Sequence, residues 1–141
     1  MSKHDSLEFD FEESFDTLKI IDNLLSGGWS YNDSGKIVYL PLGDKGLFDW
    51  KSKALESWGN VYDVIREKVR CGEVVGLNMT WQDSGVGAQF LFDSGNKVLA
   101  VNLTINRIRA SDSNDTDFSW YIPRIINSLE KDGYKMRVHK E

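Results

Sequence analysis

Two histidines, one cysteine and a scatter of loop aspartates are the residues here whose types could do chemistry. His4 and His139 stand at opposite ends of the chain and Cys71 stands apart from both, so no cluster has the spacing of a zinc site. Cys71 as a nucleophile needs a base, for which His139 is the candidate. The competing reading of a cysteine at a helix end is a small buried hydrophobe. Gly85-Val86-Gly87 lacks the third glycine of a phosphate loop and precedes a strand instead of a helix, so it reads as a turn. Asp33, Asp44, Asp49, Asp83 and Asp93 could supply an acid and a base across a cleft. All five fall in turns or loops, where aspartate is common because it bonds its own backbone. The expectation is therefore a chain with no enzymatic activity, no metal and no cofactor.

Charge says more. The chain of 141 residues has a net charge of −5, which disfavours a general nucleic-acid binder, because phosphate contacts need a clustered basic face. Residues 1–16 hold six acidic side chains against Lys3 alone. We read 1–13 as a solvated acidic lead-in. The alternatives are an arm that meets a basic partner, and a short edge strand in which Leu7, Phe9 and Phe11 alternate with the acids. A second concentration follows Arg107 and Arg109, where Asp112, Asp115 and Asp117 have no base among them. Trp50 and Trp120 each lie beside loop aspartates, an arrangement suited to anchoring a basic protein surface. The candidate partner-binding set is Asp44, Asp49, Trp50, Asp112, Asp115, Asp117 and Trp120.

The elements that must position these residues are legible from periodicity. The stretch 73–105 reads as three strands: Val75, Leu77, Met79 and Trp81; Val86, Ala88, Phe90 and Phe92; Leu99, Val101, Leu103 and Ile105. Gln82-Asp83-Ser84-Gly85 and Asp93-Ser94-Gly95-Asn96 separate them as hairpin turns. Ser14 is placed to cap a helix starting at Phe15 and ending at Gly27-Gly28. Residues 29–31 and 36–40 form a hairpin on this reading, and Pro41 stops its second strand. Residues 42–53 form a loop in which Phe48 and Trp50 fold back and Asp44 and Asp49 face outward. Leu55, Trp58, Val61 or Tyr62, Ile65 and Val69 mark a second helix, ended by Cys71-Gly72. A third helix covers about 117–131 and is capped by Gly133; Pro123 fits if the regular helix begins near Trp120, and otherwise kinks it. Residues 134–138 make a last short strand. The order α-ββ-α-βββ-α-β predicts a single α+β domain over 14–141, a mainly antiparallel sheet with helices packed on it. With 40% hydrophobic residues the chain is composed to fold. It has a lone cysteine, no signal-peptide pattern and no apolar stretch long enough to span a bilayer, so the cytosol is the expected compartment and no membrane partner is expected.

One segment resembles a known group. Gly28-Trp29-Ser30-Tyr31-Asn32, the run Gly35 to Asp44 (GKIVYLPLGD) and Phe48-Asp49-Trp50 are similar to small bacterial immunity proteins of contact-dependent growth inhibition and other polymorphic toxin systems. Thr80-Trp81-Gln82-Asp83 and Asp117-Phe118-Ser119-Trp120-Tyr121 extend the likeness to about 28–121. The resemblance implies a cytosolic, non-enzymatic protein that binds and neutralises the toxin domain of its own system, in many systems a nuclease with a basic groove. A small-ligand-binding or regulatory module is the alternative, and an unrecognised hydrolase using loop carboxylates the third.

Overall fold

The computed structural model describes residues 4–129 and 133–141. It is an α+β domain in which eight antiparallel strands form one sheet and three helices pack on it. The strands are β1 (Ser6–Phe11), β2 (Trp29–Ser30), β3 (Lys36–Tyr39), β4 (Lys51–Ala54), β5 (Val75–Trp81), β6 (Gly87–Phe92), β7 (Val98–Ile105) and β8 (Tyr134–His139). The helices are α1 (Thr17–Ser26), α2 (Trp58–Arg70) and α3 (Phe118–Ile126). The spatial order is β4-β3-β5-β6-β7-β1-β8, with β2 also paired to β5.

The predicted meander is present. β5, β6 and β7 are adjacent and antiparallel, and the register puts Leu77 opposite Phe90 and Phe90 opposite Val101. Directly opposed residues share a face, as do residues two apart, so Leu77, Met79, Phe90, Leu99 and Val101 all project to one side. Each is fully buried there. The row continues across β1, where Leu7 opposes Val101 and Phe9 opposes Leu99. Gly87 is required where the β6–β7 register shifts: a Cβ there would lie 2.1 Å from the Met79 carbonyl oxygen. The other face of β5 is covered too. Leu40 and Trp50 lie over Gly76, Asn78 donates to Asp33, and Thr80 donates to the Asn32 carbonyl.

Several local expectations are corrected. The stretch read as a solvated lead-in, 1–13, contains β1, an interior strand paired with β7 on one side and β8 on the other. Its Leu7, Phe9 and Phe11 are core residues, which supplies enough burial to hold an acid-rich segment in place. α1 is capped by Asp16, whose carboxylate accepts from the Lys19 amide, and not by Ser14. The segments 29–30 and 36–39 do not form a hairpin with each other. Both pair with β5, one opposite Trp81 and Thr80 and the other opposite Leu77, while the turn between them is closed by a backbone bridge between Asp33 and Lys36. The partner of β3 on its far side is β4, which lies within the stretch expected to be loop. In the 93–96 turn the left-handed residue is Asn96. α2 ends at Arg70 as expected, but Cys71 beyond it is exposed, not a buried hydrophobe. α3 begins at Phe118 and stops at Ile126, well before Gly133; the end expected at Lys131 falls outside the described residues. Pro123 therefore sits past the first turn and deprives the Ser119 carbonyl of its helical donor.

Candidate functional site

The seven candidate partner-binding residues do not form one patch. β3 runs antiparallel to β5 with Tyr39 opposite Leu77, so the chain leaves β3 beside the start of β5. β7 runs parallel to β5 through the intervening β6, and its last residue Ile105 pairs with Gly87 beside the end of β5. The loop that carries Asp44, Asp49 and Trp50 and the loop that carries Asp112, Asp115 and Asp117 thus leave the sheet at opposite ends.

At the first end, Asp44 is buried, contrary to the expectation that it faces outward. Its two oxygens accept the amides of Phe48 and Asp49, each at 2.9 Å. Donation by the Asp49 amide is the main reason its carboxyl is held below the usual aspartate value; burial opposes the effect, and the Phe48 amide, Lys68 and Lys51 add to it. Lys68, which sequence reading passed over, is buried at 1% exposure on α2. Its ammonium donates to the Pro41 carbonyl at 2.6 Å and to Glu73 at 3.2 Å, while Glu73 accepts the Gly43 amide at 2.8 Å. This cluster clamps the 41–49 loop to the end of α2. Phe48 does not fold back as expected; it is exposed, and Trp50 alone packs inward over Gly76. Asp49 is exposed and pairs with Lys51.

At the second end, the acidic loop is built on a buried frame. Asp5 is 1% exposed and accepts the Thr116 hydroxyl at 2.5 Å and the Glu141 amide at 2.9 Å. Arg107 donates to Thr116 and Asn114, each at 3.0 Å, and Tyr121 accepts the Ile108 amide. Burial pushes the Tyr121 hydroxyl above the ordinary tyrosine value. The loop is thereby fixed from beneath, with Asp112 and Asp115 on its exposed side. Asp117 precedes α3 and accepts from Ser119.

One turn along α3 lies a feature that joins three of the segments carrying the family resemblance. The Arg124 guanidinium sits 4.3 Å from the centroid of the Trp120 ring and 5.5 Å from that of Trp81. Trp29 packs edge-on against Trp81, and its indole N–H donates to the Arg124 carbonyl at 2.9 Å. Gly28 lies so close to Trp81 that a Cβ there would come within 2.7 Å of the ring. Trp81 and Arg124 line an open groove of about 520 Å³ together with Asn23, Asn127 and Ser128 from the ends of α1 and α3. The Nε of Arg124 is buried without a hydrogen-bond partner. Tryptophan and arginine in a concave, polar-lined site are the residue types that dominate binding energy at protein interfaces. Sequence reading found Trp120 but missed Arg124, although its position four residues later on a helix was a usable signal. Nothing local linked either residue to Trp81.

Among the described residues no three His, Cys, Asp or Glu side chains converge as a metal site. His139 meets Glu8 at 3.3 Å, while Cys71 is flanked by Arg70 and Glu67. No described helix is long and apolar enough to cross a membrane. Comparison with protein-family models, with curated proteins and with solved structures returned no match.

Proposed function

We propose that this chain is an immunity protein that binds and neutralises a cognate toxin domain, a nuclease with a basic substrate groove, by covering that groove. The supporting observation is the shelf formed by Trp81, Arg124 and Trp120 on the same end of the sheet as the exposed Asp112 and Asp115. A concave tryptophan–arginine centre at the same end of the sheet as exposed aspartates divides the work of tight inhibition. The centre resists dissociation, and the aspartates attract a basic partner and raise the association rate. The cytosolic compartment suggested by the lone cysteine agrees with this role.

The test is direct. Where the gene directly upstream encodes a large secreted protein with a variable C-terminal toxin domain, that domain is purified and mixed with the chain, and its nuclease activity and binding are measured. Stoichiometric inhibition with nanomolar affinity is expected. Undiminished nuclease activity at a molar excess of the chain would sink the proposal.

A further inference from the structure

The end of the sheet opposite the tryptophan shelf carries an apolar knuckle that the proposed inhibition does not use. Among the described residues five large apolar side chains are exposed, and three of them, Leu42, Leu47 and Phe48, belong to the single loop between β3 and β4. Leu47 is the most open of all at 78%. Single exposed apolar residues need no explanation, whereas three on one short loop do.

The fold holds them outward. Asp44 ties down the amides of Phe48 and Asp49, its carbonyl accepts the Leu47 amide at 3.1 Å, and the Lys68–Glu73 pair fixes Pro41 and Gly43. Lys45 and Phe48 both adopt left-handed backbone angles, each with φ of 53°. Residues other than glycine enter that region at a cost, and such strain collects where a segment's conformation is used. The apolar side chains are therefore displayed by a rigid loop and cannot collapse onto the core.

Lysines surround the knuckle. Lys45 is at its tip, and Lys51 and Lys53 follow on the exposed edge strand β4, two residues apart and so on one face. Residues 41–53 contain three lysines and two aspartates, a local balance of +1 in a chain of net −5. One aspartate, Asp44, is consumed inside the loop, and Asp49 is paired with Lys51. The basic residues here are all lysine, with no arginine. Protein interfaces are depleted in lysine and enriched in arginine and aromatic anchors. Lysine stems that lie along apolar surface with their ammonium groups in water suit an anionic bilayer instead.

We propose that the 42–48 knuckle is a peripheral docking surface for anionic phospholipid, in which Leu47 and Phe48 enter the headgroup boundary and Lys45 and Lys53 meet the phosphate layer. The contact requires no membrane-spanning element, and it would leave the tryptophan shelf at the other end of the sheet facing the cytosol.

Sedimentation with vesicles tests this. The full chain should sediment with phosphatidylcholine vesicles containing about 30 mol% phosphatidylserine and remain in solution with phosphatidylcholine alone. Binding should fall several-fold in about 0.5 M salt. Leu47→Ser with Phe48→Asn should reduce it at least tenfold, asparagine being chosen because it tolerates the left-handed angle, and an unchanged thermal melt confirms folding. Lys45→Glu with Lys53→Glu should do the same. Failure to sediment with anionic vesicles at low salt overturns the proposal, as does binding that the Leu47/Phe48 variant retains. Loss of toxin neutralisation, but not of vesicle binding, in the Leu47/Phe48 variant also overturns it and makes the knuckle a protein contact. Neutralisation is measured separately, so failure here leaves the inhibitor reading standing.

Discussion

Arg124 and Trp120 are joined twice. The guanidinium of Arg124 lies over the Trp120 ring with its carbon 4.3 Å from the centroid, and its Nη1 donates to the Trp120 carbonyl at 2.6 Å. The second bond adds a side-chain donor to a carbonyl just after the position where Pro123 interrupts the helical ladder. Arg124→Ala should therefore cost the free protein about 1–2 kcal/mol, the worth of one cation–π contact and one charged hydrogen bond. Affinity for the toxin domain should fall at least tenfold. Arg124→Lys should restore little, because an ammonium cannot lie flat between two rings. Denaturant melts and titration calorimetry separate the two effects, and unchanged affinity in Arg124→Ala would move the interface off this shelf.

The exposed aspartates act on rate. Asp112→Lys with Asp115→Lys should slow association with the toxin domain about tenfold at low ionic strength, and the difference should shrink as salt screens it. Dissociation and the free-protein melt should change little, since both residues are exposed. Stopped-flow association at two salt concentrations is the measurement.

Lys68 is the reverse case, a charge that acts on stability. It is fully buried between the Pro41 carbonyl and Glu73. Lys68→Ala removes one partner of a buried pair and leaves the other uncompensated, at a cost of about 3 kcal/mol. Glu73 retains some solvent contact, which keeps the loss at the lower end of the range for buried pairs. Urea denaturation should show it, accompanied by protease sensitivity in 41–49.

Asp44 sets the acid limit of the same loop. Its folded-state pKa is depressed, so its stabilising effect is complete above the unfolded value and disappears as pH falls through the lower, folded value. The loop should therefore remain closed at pH values where an ordinary aspartate is already half protonated, near 3.8, and open only below that. A carboxyl-carbon NMR titration of Asp44 gives its midpoint, and Asp44→Asn should flatten the acid limb of the loop's amide shifts. A midpoint at or above the ordinary value would remove the amide-bonding account.

Two glycines should respond oppositely to alanine. At Gly87 the new methyl meets the Met79 carbonyl at 2.1 Å, a backbone clash that flexible side chains cannot relieve. Gly87→Ala should cost more than about 3 kcal/mol. Gly59, on the exposed face of α2, has nothing within 4 Å of the added carbon, and Gly59→Ala should stabilise by about 0.5–1 kcal/mol. Thermal melts of the two variants, read side by side, check the close approach of β6 to β5 at Gly87.

Elements with a clear local period are legible in the amino-acid sequence. The three strands of 73–105, the helix that ends at Arg70 and the final strand at Tyr134 follow from alternation, helical spacing and turn residues, which depend on near neighbours in the chain. The Leu7-Phe9-Phe11 alternation also announces a strand. What it cannot announce is an interior position, because that depends on β7 and β8 lying on either side, and both are supplied by distant parts of the chain. The same reason governs the candidate site. Aspartates 44 and 112 look alike in sequence, yet Asp44 is spent on two amides of its own loop while Asp112 is exposed at the far end of the sheet. Composition and spacing determined the fold class, the acidic balance and the presence of Trp120 beside acids. Strand order alone decided that Trp81 would meet Arg124, that Lys68 would be buried under Pro41, and that the two acidic loops would part, since packing pairs residues by position in space and a periodic pattern carries no record of that.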